Sequence, residues 1–493
     1  MSDRSVSRGY RFRRRIAGAI LVLAALLALA FLRPAVAQEM PARPASPPPR
    51  AVSPVDPPAE RSLLSSRDTR LITYPEAVRI ALERNSDLRQ IQTGERIDEV
   101  AVREARMQFV PDLRLSSNRS HSYGRSFDQS EGRVVDQSNR TVNVGMNSGV
   151  TLFDGFGNTA SLRLAKENHQ ASRLDVQRSR ETVVFTVASN YLALIQNQEQ
   201  LRVQRENLAA EQQLLEQIQS YVNAGARTIA DLYQQQANAA SARFSVVEGE
   251  RATELSKVEL MQTLLLDPYG TYEFEAPAPD TLSSSREPGD IQSLLARAYE
   301  QRTDLDAEEA RVRAAEQSIR IARSNRWPLV SLSAGYSSGY TSASDFSFAD
   351  QLDQRRGGSV GIGVSLPLYD RSATASATRR AELQTESARI SLETRQNDVG
   401  LQVRRASLDY RAALEQFTNA EAQQRAAELA LKTSQERYQA GASTLVEVSQ
   451  ARASQVQAAS ALVSARYATL FQRVLMDYYV GDLDPDRAVD ASR

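Results

Sequence analysis

Residues 359–370 read SVGIGVSLPLYD, and every second side chain in this stretch is large and apolar. The positions between them hold serine, glycine and proline, so the pattern has the period of two that is typical of a β-strand with one apolar face. We favour a tilted membrane strand of about 9–11 residues with its small polar face toward a water-filled lumen. A hairpin packed on a soluble core is the alternative, since alternation fits both. The large side chains are Val360, Ile362, Val364, Leu366 and Leu368.

Three further stretches follow this pattern, clearly at 141–152 and 330–340 and more weakly at 113–123, where polar residues follow Leu113 and Leu115. They predict two hairpins, whose connecting loops would be the polar stretches 124–139 and 341–358. Four strands cannot close a barrel, and lipid excludes an open sheet edge because unpaired backbone groups are costly there. Closure must therefore come from other copies of the chain, and three copies would supply twelve strands.

The chain repeats itself at a nearly constant interval. Leu152-Phe153-Asp154 returns as Leu368-Tyr369-Asp370 after 216 residues, and other short matches recur at 216 or 217. Such spacing is the mark of an internal duplication. We predict two tandem units at 71–266 and 290–481, each with a helix, two strands, a long helix and a shorter return helix. A linker at 267–289, which contains proline, serine and glycine, would join them.

Capping and breaking residues delimit the helices. Thr73-Tyr74-Pro75-Glu76 has the spacing of a capping box, and the helix that it begins is predicted to run to about Gln108, before Pro111. After the strands, proline-free stretches at 157–221 and 372–438 carry apolar residues at heptad spacing and predict two long helices. About 65 residues make a rod of about 100 Å, which is too long for a globular core.

Each rod ends in the same way. Gly225 and Gly441 supply the left-handed residue that stops a helix. A capping box follows three residues later, and from it a shorter helix returns toward the strands. We therefore predict two helical hairpins with tight tips, about 100 Å from the strands. The capping boxes pair Thr228 with Asp231 and Thr444 with Glu447.

Both ends of the chain are predicted to lie outside the folded body. Arginines precede the apolar run 16–32, and Ala35-Val36-Ala37 matches a signal peptidase site, so residues 1–37 are predicted to be an export signal. A retained anchor is the alternative, because the run is at the short edge of a bilayer span. The proline-rich residues 38–70 are predicted to be a disordered tether, and residues 482–493 a disordered tail.

The composition disfavours catalysis. The 493 residues include no cysteine and only two histidines, His121 and His169, which are far apart in sequence. The 60 basic and 60 acidic residues give a formal charge of zero, which offers no basic field for nucleic acid. The sequence also lacks the motifs of a phosphate loop, a zinc-protease helix and a serine elbow. We therefore predict no enzyme activity, no cofactor, no metal site and no nucleic-acid partner.

The opening stretch 71–77, the Leu-aromatic-Asp after each return strand and the sequences at the two tips resemble those of outer-membrane efflux proteins of the TolC type. The resemblance covers residues from about 71 to 480. It implies a mostly α-helical chain with membrane β-strands, which forms a homotrimer with a twelve-stranded barrel in the outer membrane of a Gram-negative bacterium. Most of the mass would form a helical tunnel across the periplasm. It also implies a periplasmic adaptor (membrane fusion) protein and an inner-membrane pump or ATP-driven exporter as partners, with outer-membrane lipid around the barrel.

The resemblance also assigns roles to the tips. A family tip uses an arginine and two acids to narrow the periplasmic entrance; Arg227 and Asp231 match it, whereas Gln234 replaces the second acid. The matching pattern lies in the first unit rather than the second, where Glu447 is the counterpart of Asp231. Simple helix capping is the alternative role of both carboxylates. Adaptor docking is expected at Tyr221, Gly225, Thr228, Tyr438, Gly441 and Thr444.

Two functions of different classes remain. The favoured one is the outer-membrane channel of a tripartite efflux or type I secretion system, which passively conducts solutes or polypeptides from the tips to the outside. The alternative is a periplasmic coiled-coil scaffold without a pore. The sequence identifies neither the cargo nor the class of pump, and it leaves open whether the entrance is closed at rest and what the loops 124–139 and 341–358 do.

Overall fold

A computed structural model describes residues 70–128, 132–275 and 289–486. The predicted export signal, most of the proline-rich tether, residues 276–288 of the predicted linker and residues 487–493 of the predicted tail lie outside the described residues. Arg70, which the sequence assigns to the tether, is instead the first residue of strand β1.

The described residues 70–128 and 132–275 form four helices and four strands. Short strand β1 pairs in parallel with β4, and Tyr191 donates a hydrogen bond to the Ile72 carbonyl at the end of β1. In chain order the elements are β1 (Arg70–Ile72), α1 (Tyr74–Arg84), α2 (Ser86–Met107), β2 (Arg114–Asp128), β3 (Arg133–Phe153), α3 (Gly157–Asn223), α4 (Ile229–Thr263) and β4 (Tyr272–Phe274).

The second part follows a similar order. Its long helix has 67 residues, as does α3. The elements are α5 (Ile291–Gln301), α6 (Thr303–Ser324), β5 (Leu329–Thr341), α7 (Phe348–Gln354), β6 (Gly357–Ser365), α8 (Ala373–Gln439) and α9 (Leu445–Val480). At 1.5 Å per residue, α3 and α8 are each about 100 Å long.

The start of the first unit differs from the prediction in two ways. The Thr73 side chain makes no capping hydrogen bond, and the Glu76 carboxylate instead accepts a hydrogen bond from Arg70 Nη2 at 2.6 Å. The predicted capping box is therefore wrong. The predicted single helix is also divided at Asn85, whose side chain accepts a hydrogen bond from the Leu88 backbone N–H at 2.9 Å. An asparagine that caps a new helix competes with continuation of the old one, which explains the break.

The Leu-aromatic-Asp motif caps the long helices. The Asp154 carboxylate accepts from the Asn158 backbone N–H at 2.6 Å, and Asp370 accepts from the Thr374 N–H at 2.8 Å. Gly155 has a φ of 68°, and a Cβ there would lie 2.6 Å from the Ser324 carbonyl oxygen. The turn into α3 therefore requires glycine both for its left-handed backbone and for its close approach to α6.

The four longer strands form one antiparallel sheet in the order β2-β3-β5-β6. Val144 of β3 lies opposite Ser117 of β2 and Ser338 of β5, and Leu332 of β5 lies opposite Ile362 of β6. Among the described strands, β2 and β6 each pair on one side only. The sheet therefore has two open edges.

Both predicted loops contain regular structure. The β2–β3 pairing continues to Asp128 and Arg133, so most of the predicted loop 124–139 is a hairpin. The sequence did not predict this extension, because its side chains are polar and show no apolar alternation. A two-stranded ribbon is held by its backbone hydrogen bonds and does not need an apolar face. The predicted loop 341–358 contains α7, which the Ser347 side chain caps by accepting from the Asp350 N–H.

The long helices pack side by side, with α3 against α4, α8 against α9, and α9 against α3. Apolar clusters hold this body together near α1 and β4, around Tyr191, and near α5, around Tyr410. In the parts of the chain that the structure describes, no helix combines the length and apolarity of a membrane span.

Candidate functional site at the helical tips and the sheet

The first tip is the turn between α3 and α4. Gly225 has a φ of 73°, and the Ala226 N–H donates to the Tyr221 carbonyl at 2.8 Å, which closes the end of α3. Thr228 Oγ1 accepts from the Asp231 N–H at 3.2 Å, and the Asp231 carboxylate accepts from the Thr228 N–H at 3.3 Å. The capping box predicted here is confirmed.

The second tip, between α8 and α9, has similar geometry. Gly441 has a φ of 76°, and Thr444 Oγ1 accepts from the Glu447 N–H at 3.3 Å. The Ser443 hydroxyl donates to Glu447 at 2.7 Å. That hydrogen bond, with the nearby charge of Arg437, lowers the pKa of the Glu447 carboxyl. Glu447 is therefore held as an anion at the N-terminus of α9, where the helix dipole favours negative charge.

The two tips pack against each other rather than standing apart. Tyr438 is only 4 % exposed, and Arg227 from the first tip covers it. Arg227 Nη2 donates to the Tyr438 carbonyl at 3.0 Å, and its guanidinium carbon lies 4.2 Å from the centre of the Tyr438 ring. The apolar cluster beneath consists of Ile218, Leu232, Tyr438, Leu445 and Val448.

The side chains predicted to narrow an entrance all have partners within the chain. Arg227 is held by Tyr438, and Asp231 by Thr228. Gln234 donates to the Asn238 side-chain oxygen at 3.2 Å. Of the two tyrosines predicted to meet a partner, Tyr438 is buried, whereas Tyr221 is 37 % exposed.

Behind the tips, a polar seam joins the two helical hairpins. Gln235 of α4 is fully buried and donates to the carbonyl and the carboxylate of Glu211 on α3. Asn238 donates to the Ser449 hydroxyl of α9 at 3.0 Å. Arg452 of α9 lies 3.5 Å from Glu211 between two cavities of about 320 and 350 Å³. Sequence reasoning missed this seam, since glutamine and asparagine between heptad positions also suit a solvated helix face.

The sheet has two chemically distinct faces. One face presents mainly β-branched, aliphatic and aromatic side chains, with Ser117, Ser148 and Ser338 among them, and the other presents serine, threonine, asparagine and glycine. On the apolar face Val150, Leu332 and Ile362 lie side by side on three neighbouring strands. On the other face Thr151, Ser331 and Gly363 occupy the next row. The alternation predicted from residues 359–370 thus extends across the sheet.

A family model described as "Outer membrane efflux protein" matches residues 77–264 and 294–480. The chain belongs to this family. The match covers the helices at both tips and both strand pairs, so the TolC-type resemblance is confirmed.

Individual relatives of this outer membrane efflux protein are distant. The chain is 26 % identical over 356 residues to the pyoverdine export outer membrane protein OpmQ of Pseudomonas aeruginosa, covering 71 % of each chain. It is 22 % identical over 398 residues to the outer membrane protein TolC of Vibrio cholerae, covering 80 % of this chain and 86 % of that one. A crystal structure of a membrane protein from Pseudomonas aeruginosa shares the fold, with a TM-score of 0.72, 20 % identity and coverage of 82 % and 91 %.

The efflux protein also contains a buried charge network that the sequence did not reveal. Arg302 donates hydrogen bonds from Nε and Nη2 to the Asp304 carboxylate at 2.9 and 2.7 Å. Arg395 of α8 forms an ion pair with the same carboxylate at 2.9 Å. Burial would raise the pKa of Asp304, but the Arg302 hydrogen bonds and three arginine charges hold the pKa below its usual value. Arg178 and Glu181 of α3 form a neighbouring pair at 2.7 Å. Here burial outweighs Arg178 and raises the pKa of Glu181.

Each of the two histidines lies within hydrogen-bonding distance of a polar side chain of the same chain. His169 lies 2.7 Å from Glu95 and joins α3 to α2, and His121 lies 2.7 Å from the Ser138 hydroxyl across the β2–β3 pair. Within the described ranges, no group of three or more histidine, aspartate and glutamate side chains is placed to hold a metal ion.

Proposed function

We propose that this efflux protein is the outer-membrane channel of a tripartite efflux or type I secretion system and that it works as a homotrimer. The observation that carries the proposal is the sheet of four strands with two open edges and one apolar face. An open edge in lipid leaves backbone groups unpaired, so each edge requires the opposite edge of another copy. Three copies give twelve strands, an even number as in other outer-membrane barrels.

The helical part would continue the channel through the periplasm of a Gram-negative bacterium. α3 and α8 extend for about 100 Å from the strands, and the tips are the ends farthest from the sheet. An even helical wall needs long helices that pack at close range. Small alanine side chains allow such close packing on the buried face of α8, where Ala406, Ala413 and Ala420 recur every seven residues.

Adaptor docking is proposed at the tips, on the surface around Tyr221, Gly225 and Thr228. On the second tip Gly441 and Thr444 complete this surface, while the buried Tyr438 supports it from below. A periplasmic adaptor would join the tips to an inner-membrane pump or ATP-driven exporter. The channel itself would conduct passively, since the energy comes from these partners. Cargo varies among the relatives, whose names include a pyoverdine exporter and a cation efflux protein.

The periplasmic entrance is proposed to lie between the tips of the three copies. Asp231 and Glu447 sit at the first turns of α4 and α9, so their charges would be repeated around the threefold axis. We expect Asp231→Ala to lower the preference of the pore for cations in single-channel recordings. Thr228→Ala is the matched control, because it removes the cap and keeps the charge; equal selectivity in both variants would remove Asp231 from the pore.

Purified protein in planar lipid bilayers tests the channel proposal. A channel gives discrete conductance steps, together with an oligomer in the outer-membrane fraction whose gel mobility changes on heating. The alternative, a periplasmic scaffold, gives a soluble species after osmotic release and no conductance. Recovery of the second pattern would overturn the proposal.

A further inference from the structure

The apolar face of the sheet is a band of limited height. On β5 its rows run from Val330 to Tyr340, and among the strand residues that share these rows only Arg119, in the last row, is charged. Ten steps along a strand span about 33 Å, and a tilt near 40° reduces this to a height of about 25 Å. That height equals the apolar band of an outer-membrane barrel, and Tyr340 lies at its border, with its ring centre 5.2 Å from that of Phe348 on α7.

At this border the same face becomes basic. Arg119 of β2 lies opposite Val142, which is the partner of Tyr340. One row farther from the helices, Arg140 of β3 lies opposite His121. Arg119, His121 and Arg140 are all exposed, so one basic side chain lies in the border row and two lie in the row directly beyond it.

The register brings the two guanidinium groups near each other. Arg119 and Arg140 are diagonal neighbours across the β2–β3 pair, with Cα atoms roughly 7–8 Å apart. Two arginine side chains at that separation can converge on one phosphate group, whose oxygens match the planar fork of a guanidinium. Two rows farther out Arg125 lies opposite Asp136, so on the described part of β2 and β3 this face carries three arginines and one carboxylate.

The position of this pair decides its ligand. The hairpin end of the sheet carries the short α7 and is opposite to the long helices, since α2 leads into β2 and β3 leads into α3. If the proposed function is right, this end lies at the outer surface of the membrane, and the apolar face touches lipid. Arginines just beyond an apolar band extend into the headgroup layer, where the available anions are the phosphates of lipids.

We propose that Arg119 and Arg140, with His121 beside them, form a binding site for the phosphate groups of lipids in the outward-facing leaflet. The proposal rests on the proposed function, because it requires the apolar face to lie in the membrane. The occupant is a phosphorylated lipid rather than free phosphate, since the site is continuous with the apolar rows that hold acyl chains. Its role is to fix the height of the barrel in the membrane.

The test measures the binding of diphosphoryl lipid A to the detergent-solubilised full chain by native mass spectrometry. We expect the Arg119→Gln/Arg140→Gln variant to bind this lipid about tenfold more weakly than the wild type, whereas the binding of phosphatidylcholine, whose phosphate charge is offset by choline, should be equal in both. Arg133→Gln is the matched control: Arg133 is at the same end of β3 but at an odd position, on the polar face, and its removal should leave the affinity unchanged. Equal lipid A affinity in the double variant and the wild type would overturn the proposal.

Three further arms keep the outcome decisive. If the double glutamine variant fails to assemble, Arg140→Gln alone should still lose several-fold in affinity, whereas Arg119→Lys/Arg140→Lys should keep most of it. Millimolar inorganic phosphate should not displace the lipid, and displacement would contradict a lipid site. The conductance of the wild type in phosphatidylcholine bilayers separates the lipid-site proposal from the channel proposal. If channels form but lipid A does not bind selectively, only the lipid site is refuted. If no channels form, the proposed function is refuted.

Discussion

The guanidinium of Arg227, in the turn between α3 and α4, lies 4.2 Å from the centre of the Tyr438 ring near the end of α8. The same guanidinium donates to the Tyr438 carbonyl oxygen at 3.0 Å. The two residues are 211 positions apart in sequence, so this contact joins the two helical hairpins at their tips. A change in the spacing of the hairpins must break it.

Removal of Arg227 should loosen the tips without unfolding the body. A cation–π contact and a charged hydrogen bond together contribute roughly 1–3 kcal/mol, so Arg227→Ala should speed amide exchange at the tips about 10–100-fold. Hydrogen–deuterium exchange of peptides covering residues 220–232 and 436–448 measures this. The control is Arg243→Ala, which removes an exposed arginine from the same helix α4. Equal exchange in Arg227→Ala and the control would show that the contact does not hold the tips.

The Tyr438 hydroxyl should be dispensable for stability. Within the described residues, this hydroxyl is buried without a hydrogen-bond partner, and burial raises the pKa of the phenol. A buried polar group without a partner costs about 1–3 kcal/mol, so Tyr438→Phe should leave the thermal midpoint unchanged or raise it. Tyr438→Ala, which removes the ring as well, should lose about 3–5 kcal/mol. A clear drop in the midpoint of Tyr438→Phe would mean that the hydroxyl has a partner in the assembled protein.

The two threonines that precede α1 and α4 should differ in importance. Thr228 closes a capping box, whereas Thr73 makes no side-chain capping bond. Thr228→Ala should therefore cost about 1 kcal/mol and speed amide exchange in the first turn of α4 about fivefold. Thr73→Ala should change exchange in the first turn of α1 by less than about twofold. Similar effects at both positions would contradict the difference in capping.

The Arg302–Asp304 pair should give the protein an acid-sensitive contribution to stability. Asp304→Asn breaks a buried ion pair and should cost about 3–5 kcal/mol near neutral pH. A carboxyl with a lowered folded pKa contributes in full above its unfolded pKa, near 3.9, and loses its contribution as the pH falls through the folded value. The gap between wild type and variant should thus be constant from pH 7 to 5 and shrink below about pH 4.

Circular dichroism melting curves over this pH range measure that gap. Asp306→Asn is the control, because Asp306 is in the same first turn of α6 but exposed, and its melting curve should follow the wild type. The raised pKa of Glu181 acts in the opposite direction and is caused in part by the charge of Asp304, so the same comparison is repeated in a Glu181→Gln background. A gap that persists unchanged at pH 3 would rule out the assigned role of Asp304.

The fold could be predicted from the sequence at positions where the backbone conformation is compatible with only one residue type. Gly225 and Gly441 stop the two long helices as expected, because a left-handed residue there is strained for any other side chain. The break at Asn85 was missed, since asparagine is tolerated inside helices and only its packing context selects the cap. The strand extension to Asp128 was missed because its polar residues give no apolar alternation.

The site could be predicted less well than the fold. Local spacing was sufficient to place the Thr228 and Asp231 capping box. The stacking of Arg227 on Tyr438 and the Asp304 network join segments separated by about one repeat or by a change of helix, and no periodicity reports such contacts. The basic pair Arg119 and Arg140 depends on strand register, which is fixed only when both strands are seen paired.

The central claim is that the open sheet is completed by other copies, and disulfide cross-linking tests it most directly. The chain has no native cysteine that could interfere. Each variant carries two cysteines, one in place of Ser117 on β2 and one at a single position of β6, and the second is placed in turn at each position from 357 to 365. Within one copy these strands are three spacings apart, roughly 14 Å, which exceeds the roughly 7 Å limit for a disulfide. We predict that at one β6 position in the membrane oxidation gives a ladder of dimer and trimer that stops at three. Chains that remain monomeric at every position would contradict the account.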